Sequence, residues 1–254
     1  MSKALLITGC SKGLGYALAN HFAAHSYRIY AVGRTPSSLE ALAKQFPNLI
    51  PVIADINLAS DRQKIASAVQ EDSISIIHNA AIVVPKAFQE IDEDLLRQHF
   101  ETNLLAPLLI TRALLPRLTK QRVLHITSGA ATLTLYGLLP YCVTKSALEH
   151  STHCLNEELN TQKIFFANLR PGVVDTPTQA SIRNSDTHDL PNRDFYATLH
   201  RNKQLLPPSL VAHFVDWVIN QTDNETFCNT TWSIYDEWHQ AHWLPAGQSV
   251  RAYR

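Results

Sequence analysis

The chain has 254 residues, 45% of them hydrophobic and 17% charged, and its 22 Lys and Arg balance its 22 Asp and Glu. That balance argues against nucleic acid or an anionic membrane surface as a partner. The length suits one large α/β domain, and no Pro/Gly/Ser-rich linker or charge block divides residues 1–254 into two. The apolar N-terminal stretch Ala4 to Ile7 is too short for a signal-peptide core. The richest apolar run, Leu104 to Leu118, is interrupted by Pro107, Arg112 and Pro116, so no membrane span is expected. Cys10, Cys142, Cys154 and Cys228 are scattered without a CxxC pair, which fits a reducing cytoplasm better than a disulfide framework.

In chain order, short apolar runs alternate with amphipathic stretches. Strands are expected at Lys3–Thr8, Arg28–Val32, Leu49–Ala54, Ile74–Ile77, Arg122–Thr127 and Ile164–Leu169, with a last one near Phe227–Ile234. Helices are expected at Gly13–His25, Pro36–Phe46, Ser60–Glu71, Asp92–Phe100, Leu104–Leu118 after a junction near Asn103, Pro140–Asn160 and Pro208–Asn220. The polar, Pro-containing region Asp175–Pro208 breaks the rhythm. Parallel neighbours need crossover connections, so this alternation predicts an α/β fold with a doubly wound parallel sheet of about seven strands, covered on both faces. In such a sheet a ligand sits beyond the carboxyl ends of the strands.

The unusual residues lie at those ends. After the first strand comes Thr8-Gly9-Cys10-Ser11-Lys12-Gly13-Leu14-Gly15. Its glycines permit a tight turn and close approach to a pyrophosphate, and the helix N-terminus offers free N–H groups. The spacing is G-x-x-x-G-x-G rather than G-x-G-x-x-G, and an ordinary strand-to-helix turn is the bland alternative. Arg34 ends the second strand, where a carboxylate would select NAD and an arginine suits the 2′-phosphate of NADP, and Lys12 adds a second cation. Asp55, with Ile56 beside it, would either accept from an adenine amino group or simply cap a loop.

After the fifth strand comes Ser128, and Tyr141 and Lys145 stand four apart at the head of the long helix, on one face. A phenol ionises near pH 10, so activity near neutrality needs about 4 kcal/mol of differential stabilisation. A nearby ammonium and an oxidised nicotinamide favour the phenolate. Ser128 can hydrogen-bond a substrate oxygen where charge develops.

With Thr8, Gly9, Gly13 and Gly15, the Asn79-Ala80-Ala81 segment, Asn103, Ser128, Tyr141, Lys145, and Pro171-Gly172-Val173-Val174-Asp175-Thr176 in this order, the chain resembles the short-chain dehydrogenase/reductase family over nearly its whole length. The resemblance implies that Tyr141 is the general acid in reduction and the base in oxidation. Lys145 would hold the nicotinamide ribose and depress the phenol pKa, Ser128 would position the substrate oxygen, and Asn103 would keep a water in a proton relay. Asn79 and Ala80 would line the adenosine ribose. Pro171, Gly172, Val174 and Thr176 would line the nicotinamide. The family's NNAG reads His78-Asn79-Ala80-Ala81 here, and Ala81 resists positive φ, which leaves the local turn in question. The resemblance also implies a homodimer or homotetramer, through the helices containing Asn103 and Tyr141.

Thr178-Gln179-Ala180-Ser181-Ile182-Arg183, Asn202-Lys203-Gln204-Leu205-Leu206 and Ser233-Ile234-Tyr235-Asp236 resemble the sepiapterin reductase and benzil reductase branch, whose members reduce 1,2-dicarbonyl compounds with NADPH. Leu133, Leu135 and Leu138 either wall an apolar pocket or pack a loop. Another alcohol, hydroxysteroid or sugar dehydrogenase, or a non-catalytic NADP-binding regulator, are the rival readings. His21/His25, His150/His153 and His239/His242 are spaced to share helix faces, but no third ligand accompanies them, and no metal is expected. Cys142 reads as a packing residue. Trp232, Trp238 and Trp243 would cap the substrate pocket or enter a subunit interface.

Overall fold

A computed structural model describes residues 3–244 and 248–253. Seven parallel strands form one sheet: β1 Ala4–Thr8, β2 Arg28–Gly33, β3 Leu49–Ile53, β4 Ser75–His78, β5 Arg122–Ile126, β6 Phe165–Arg170 and β7 Thr231–Ser233, in the order β3-β2-β1-β4-β5-β6-β7. Each strand returns through a helical crossover: α1 Gly13–Ala24, α2 Pro36–Gln45, α3 Ala59–Ala68, α4 Glu93–Phe100 with α5 Ala106–Leu114, and α6 Leu139–Leu159. Successive side chains of a strand point to opposite faces. Leu5 and Ile7 of β1 therefore join a core with Phe22 of α1, and Leu6 joins another with Ile65 of α3 and Ile110 of α5. Both faces are covered, as the alternating pattern predicts. The order reverses between β1 and β4, which opens a crevice at their carboxyl ends.

The junction expected near Asn103 is a π-helical turn over Glu101–Leu105 that links α4 to α5. Pro107 follows it and has no N–H to donate to the Asn103 carbonyl, so regular α-hydrogen bonding cannot pass through.

Two expectations are corrected after β6. The irregular region 175–208 contains α7 Pro177–Arg183 and α8 Arg193–Arg201. The Thr176 hydroxyl caps α7 by accepting from Gln179 N at 3.2 Å, and Pro177 stands at the helix start. After α9 Pro208–Gln221, the strand expected at Phe227–Ile234 is instead α10 Asn224–Asn229 followed by the short β7. The Asp223 carboxylate caps α10, accepting from Thr226 N at 2.8 Å. This local bond outweighs the β-propensity of a single phenylalanine, and Phe227 is buried from the helix instead.

None of Trp232, Trp238 and Trp243 caps the crevice, and Trp238 stays exposed. Trp232 and Trp243 are buried within the chain, near α9 and α11 Gln240–Trp243, and neither lines the crevice. They surround a buried His239, which stacks on Phe214 at 4.9 Å, accepts from Trp243 Nε1 at 2.9 Å and places its Nε2 3.0 Å from Ser233 O. Trp232→Ala is expected to cost about 3–5 kcal/mol in urea unfolding. A loss below about 1 kcal/mol would mean that this cluster does not hold the C-terminal segment.

Candidate active site

At the carboxyl ends of the strands lies a cleft of ≈ 1300 Å³. Its wall contains almost every residue singled out from the sequence: Gly9, Ser11, Lys12, Gly13, Leu14 and Gly15 from the first turn, Arg34, Asp55 and Ile56 from the next two strands, Asn79 and Ala80 from β4, then Ser128, Tyr141, Lys145, Pro171, Gly172, Val174 and Thr176. Thr8 and Asn103 stand behind the wall and act on it through hydrogen bonds. The Thr8 hydroxyl accepts from Asn79 N at 3.0 Å and Ala80 N at 3.1 Å, and Asn79 Nδ2 donates back to Thr8 O at 2.9 Å. These bonds tie β1 to β4 across the point where the strand order reverses. Ala81 is not among the residues with positive φ, so the turn does not need glycine and the question raised by the sequence is removed.

The glycine turn has the shape a pyrophosphate requires. Gly13 has φ +60, and a Cβ on Gly15 would lie 2.2 Å from Gly9 O. Lys12, at the N-cap of α1, makes no side-chain capping bond, so no side chain of that residue occupies the N–H groups that open the helix. Arg34 is exposed, its side chain at 67%, and stands 3.7 Å from an oxygen of Asp55, a weak tether that leaves the guanidinium able to take an anion. The other Asp55 oxygen accepts from Asn57 N at 3.0 Å, and the residue stays on the cleft wall. The turn, the N-terminus of α1 and these two cations fit a dinucleotide.

At the other end, Ser128, Tyr141 and Lys145 converge. Lys145 is buried and donates from Nζ to Ile126 O at 2.8 Å, and the same nitrogen lies 5.8 Å from the Tyr141 ring centroid. Burial pushes the Lys145 ammonium down to about 8, opposed by the negative charge of Glu149. Burial raises the Tyr141 phenol above its ordinary value, and a hydrogen bond with Ser128 works against that. Asn103 uses its side chain structurally: Oδ1 accepts from Ile82 N at 2.8 Å, and Nδ2 donates to Ile82 O at 2.9 Å and to Thr144 Oγ1 at 3.2 Å. It thus fastens the loop after β4 to the first turns of α6.

Residues that sequence reasoning passed over also reach the site. Glu149, Thr127 and Arg170 form a bonded cluster beneath Lys145; Tyr141, Lys145 and Glu149 repeat at intervals of four, and that spacing was the available signal. From the variable segment, Ile182 of α7 and Phe195 and Tyr196 of α8 line the cleft together with Leu133, Leu135 and Leu138. All three leucines are on the cleft wall, Leu138 buried and Leu133 57% exposed, so Leu138 both packs the loop and faces the cleft. The segment is pinned to the β4–α4 loop, where Asp189 accepts from Ala87 N at 3.2 Å and pairs with Lys86 at 3.2 Å. Cys142 is half-buried, and burial raises its thiol. Among the described residues no group of three His, Cys, Asp or Glu is placed to hold a metal, and no helix is long and apolar enough to cross a membrane.

This arrangement of sheet, glycine turn and Ser-Tyr-Lys centre has clear relatives. The family model described as short chain dehydrogenase matches residues 3–187. The chain belongs to the short-chain dehydrogenase/reductase family, oxidoreductases that act on CH–OH and C=O groups with a nicotinamide cofactor. Within it, the chain stands near the benzil reductase branch. It is 33% identical over 225 residues to a benzil reductase ((S)-benzoin forming) of Bacillus cereus, covering 82% of this chain and 90% of that protein. The corresponding protein of Bacillus subtilis is 31% identical over 220 residues, covering 82% and 89%. The crystal structure of the KRED1-Pglu enzyme superposes with a TM-score of 0.85 at 27% identity, covering 92% of this chain and 100% of that one.

Proposed function

We propose that the chain is an NADPH-dependent carbonyl reductase acting on apolar ketones, 1,2-dicarbonyl compounds among them. The carrying observation is one cleft with Lys12 and Arg34 at one end and Ser128, Tyr141 and Lys145 at the other. A bound reduced nicotinamide supplies the hydride. Ser128 donates to the carbonyl oxygen as it gains charge, and Tyr141 delivers its proton. A phenol kept neutral by burial suits this acid role. The Lys145 ammonium then stabilises the phenolate left behind. Leu133, Phe195 and Tyr196 offer apolar surface, which favours an aryl or alkyl ketone over a polyhydroxy sugar.

The relatives named as benzil reductases support the dicarbonyl class. Exposed Leu105 on the π-helical turn, and Val143 on α6, fit the dimer surface proposed for these helices. The test is NADPH absorbance with a panel of 1,2-diketones, aryl ketones and sugars. Turnover is expected for the diketones and aryl ketones. Tight NADPH binding without turnover of any carbonyl would favour a regulator instead.

A further inference from the structure

Glu149 lies one helical turn beyond Lys145 and is 8% exposed. Its Oε1 accepts from Thr127 Oγ1 at 2.8 Å and from Arg170 Nε at 2.8 Å, and its Oε2 accepts from Arg170 Nη2 at 2.7 Å. Its main-chain oxygen accepts from Asn168 Nδ2 at 3.1 Å. One carboxylate therefore joins three segments that carry the reacting centre. Thr127 sits between Ile126, whose carbonyl holds Lys145, and Ser128. Arg170 lines the cleft and immediately precedes Pro171 and Gly172. A bidentate Arg–carboxylate pair fixes direction as well as distance. Dissolving it would loosen the ends of β5 and β6 relative to α6.

We propose that Glu149 is a positioning residue of the reacting centre, which aligns Ser128, Lys145 and the Pro171 segment through Thr127 and Arg170 and balances the charge around the Lys145 ammonium. The proposal rests on the reductase reading above. The groups around it are few. Lys145 acts on Glu149 from α6, Thr127 meets it from just after β5, Asn168 and Arg170 meet it from β6, and His125 of β5 stands near Lys145. His125 is held neutral by burial and by Lys145, with its pKa down to about 3, and Asp236 adds to the charge around Arg170. Glu149 is thus the only carboxylate named in this set that acts on Lys145, where it opposes the effect of burial. Arg170 offsets part of its charge.

Two substitutions separate alignment and charge from bulk stability. Lys145 works as an ammonium, so activity is expected to fall as pH rises through its pKa. Removing the carboxylate lowers that pKa; removing the guanidinium raises it. In pH profiles of kcat/KM for NADPH-dependent reduction of benzil, Glu149→Gln is expected to move the alkaline limb down by about one unit and Arg170→Gln to move it up. Both are expected to lower kcat about tenfold, and Glu149→Asp, which keeps the charge, to retain the wild-type limb. Limbs that stay in place, or shift together while only Tm falls, would overturn the proposal in favour of a structural ion pair. If Glu149→Gln does not fold, the upward limb of Arg170→Gln decides alone. NADPH affinity, read by fluorescence across the same pH range, carries the same limb without turnover. A wild-type protein that binds NADPH yet reduces no carbonyl would sink the reductase reading and leave this binding limb to judge Glu149.

Discussion

Tyr141→Phe is expected to reduce NADPH-dependent carbonyl turnover by roughly a hundred- to ten-thousand-fold, the usual contribution of a positioned general acid. The substitution removes one oxygen and keeps the ring, whose centroid lies 5.8 Å from Lys145 Nζ. Lys145 keeps its bond to Ile126 O, and the glycine turn lies at the far end of the cleft. NADPH affinity should therefore change little. Steady-state assays paired with a binding titration check both halves. Retained turnover would remove Tyr141 as the proton donor, and lost binding would make it a cofactor ligand first.

The second large effect concerns cofactor choice. Arg34→Ala is expected to weaken NADPH about 10- to 100-fold and NADH by less than about twofold, since a hydrogen bond to a charged group contributes roughly 1.5–3 kcal/mol. Arg34 is largely exposed, so the discrimination should shrink as salt rises. Its pairing with Asp55 at 3.7 Å is loose and exposed, and little is lost when a 2′-phosphate replaces that partner. Dissociation constants for both dinucleotides at low and high ionic strength test this directly. Equal losses for the two would assign selection to another residue, with Lys12 the next to replace.

Most of the fold was legible because its signals are local. Six of the seven strands and the helices α1 to α6 and α9 lie within a few residues of the positions expected from apolar periodicity. The last strand, β7, lies inside the expected Phe227–Ile234 but is shorter, because Asp223 caps a helix over the first part of that stretch, and a cap is weighed against apolar pattern only once packing is known. Helices α7 and α8 were hidden because they are short, at 7 and 9 residues, and lie in a polar segment that contains Pro177 and Pro191, where length and composition argue for loop. Trp232 and Trp243 were placed in a pocket or an interface rather than the core for a related reason. An aromatic side chain suits a pocket, an interface or a core equally well until His239 and Phe214 are seen beside it.

Ser128, Tyr141 and Lys145 were readable because their chemistry depends on residue type and on a four-residue spacing along one helix. So were the glycine turn and the two cations, which follow directly from strand ends. These local signals carry the resemblance to the family, which the matching family model and relatives then show. The long-range assembly around them was not legible. Thr127, Glu149 and Arg170 come from three elements, and a carboxylate on a helix reads as solvated surface until a guanidinium from β6 closes on it. The apolar cleft is likewise made by loops that meet only in the folded chain. Sequence carries information along the backbone, whereas burial, charge balance and pocket shape depend on contacts between residues far apart in it, and the tertiary structure alone decides those.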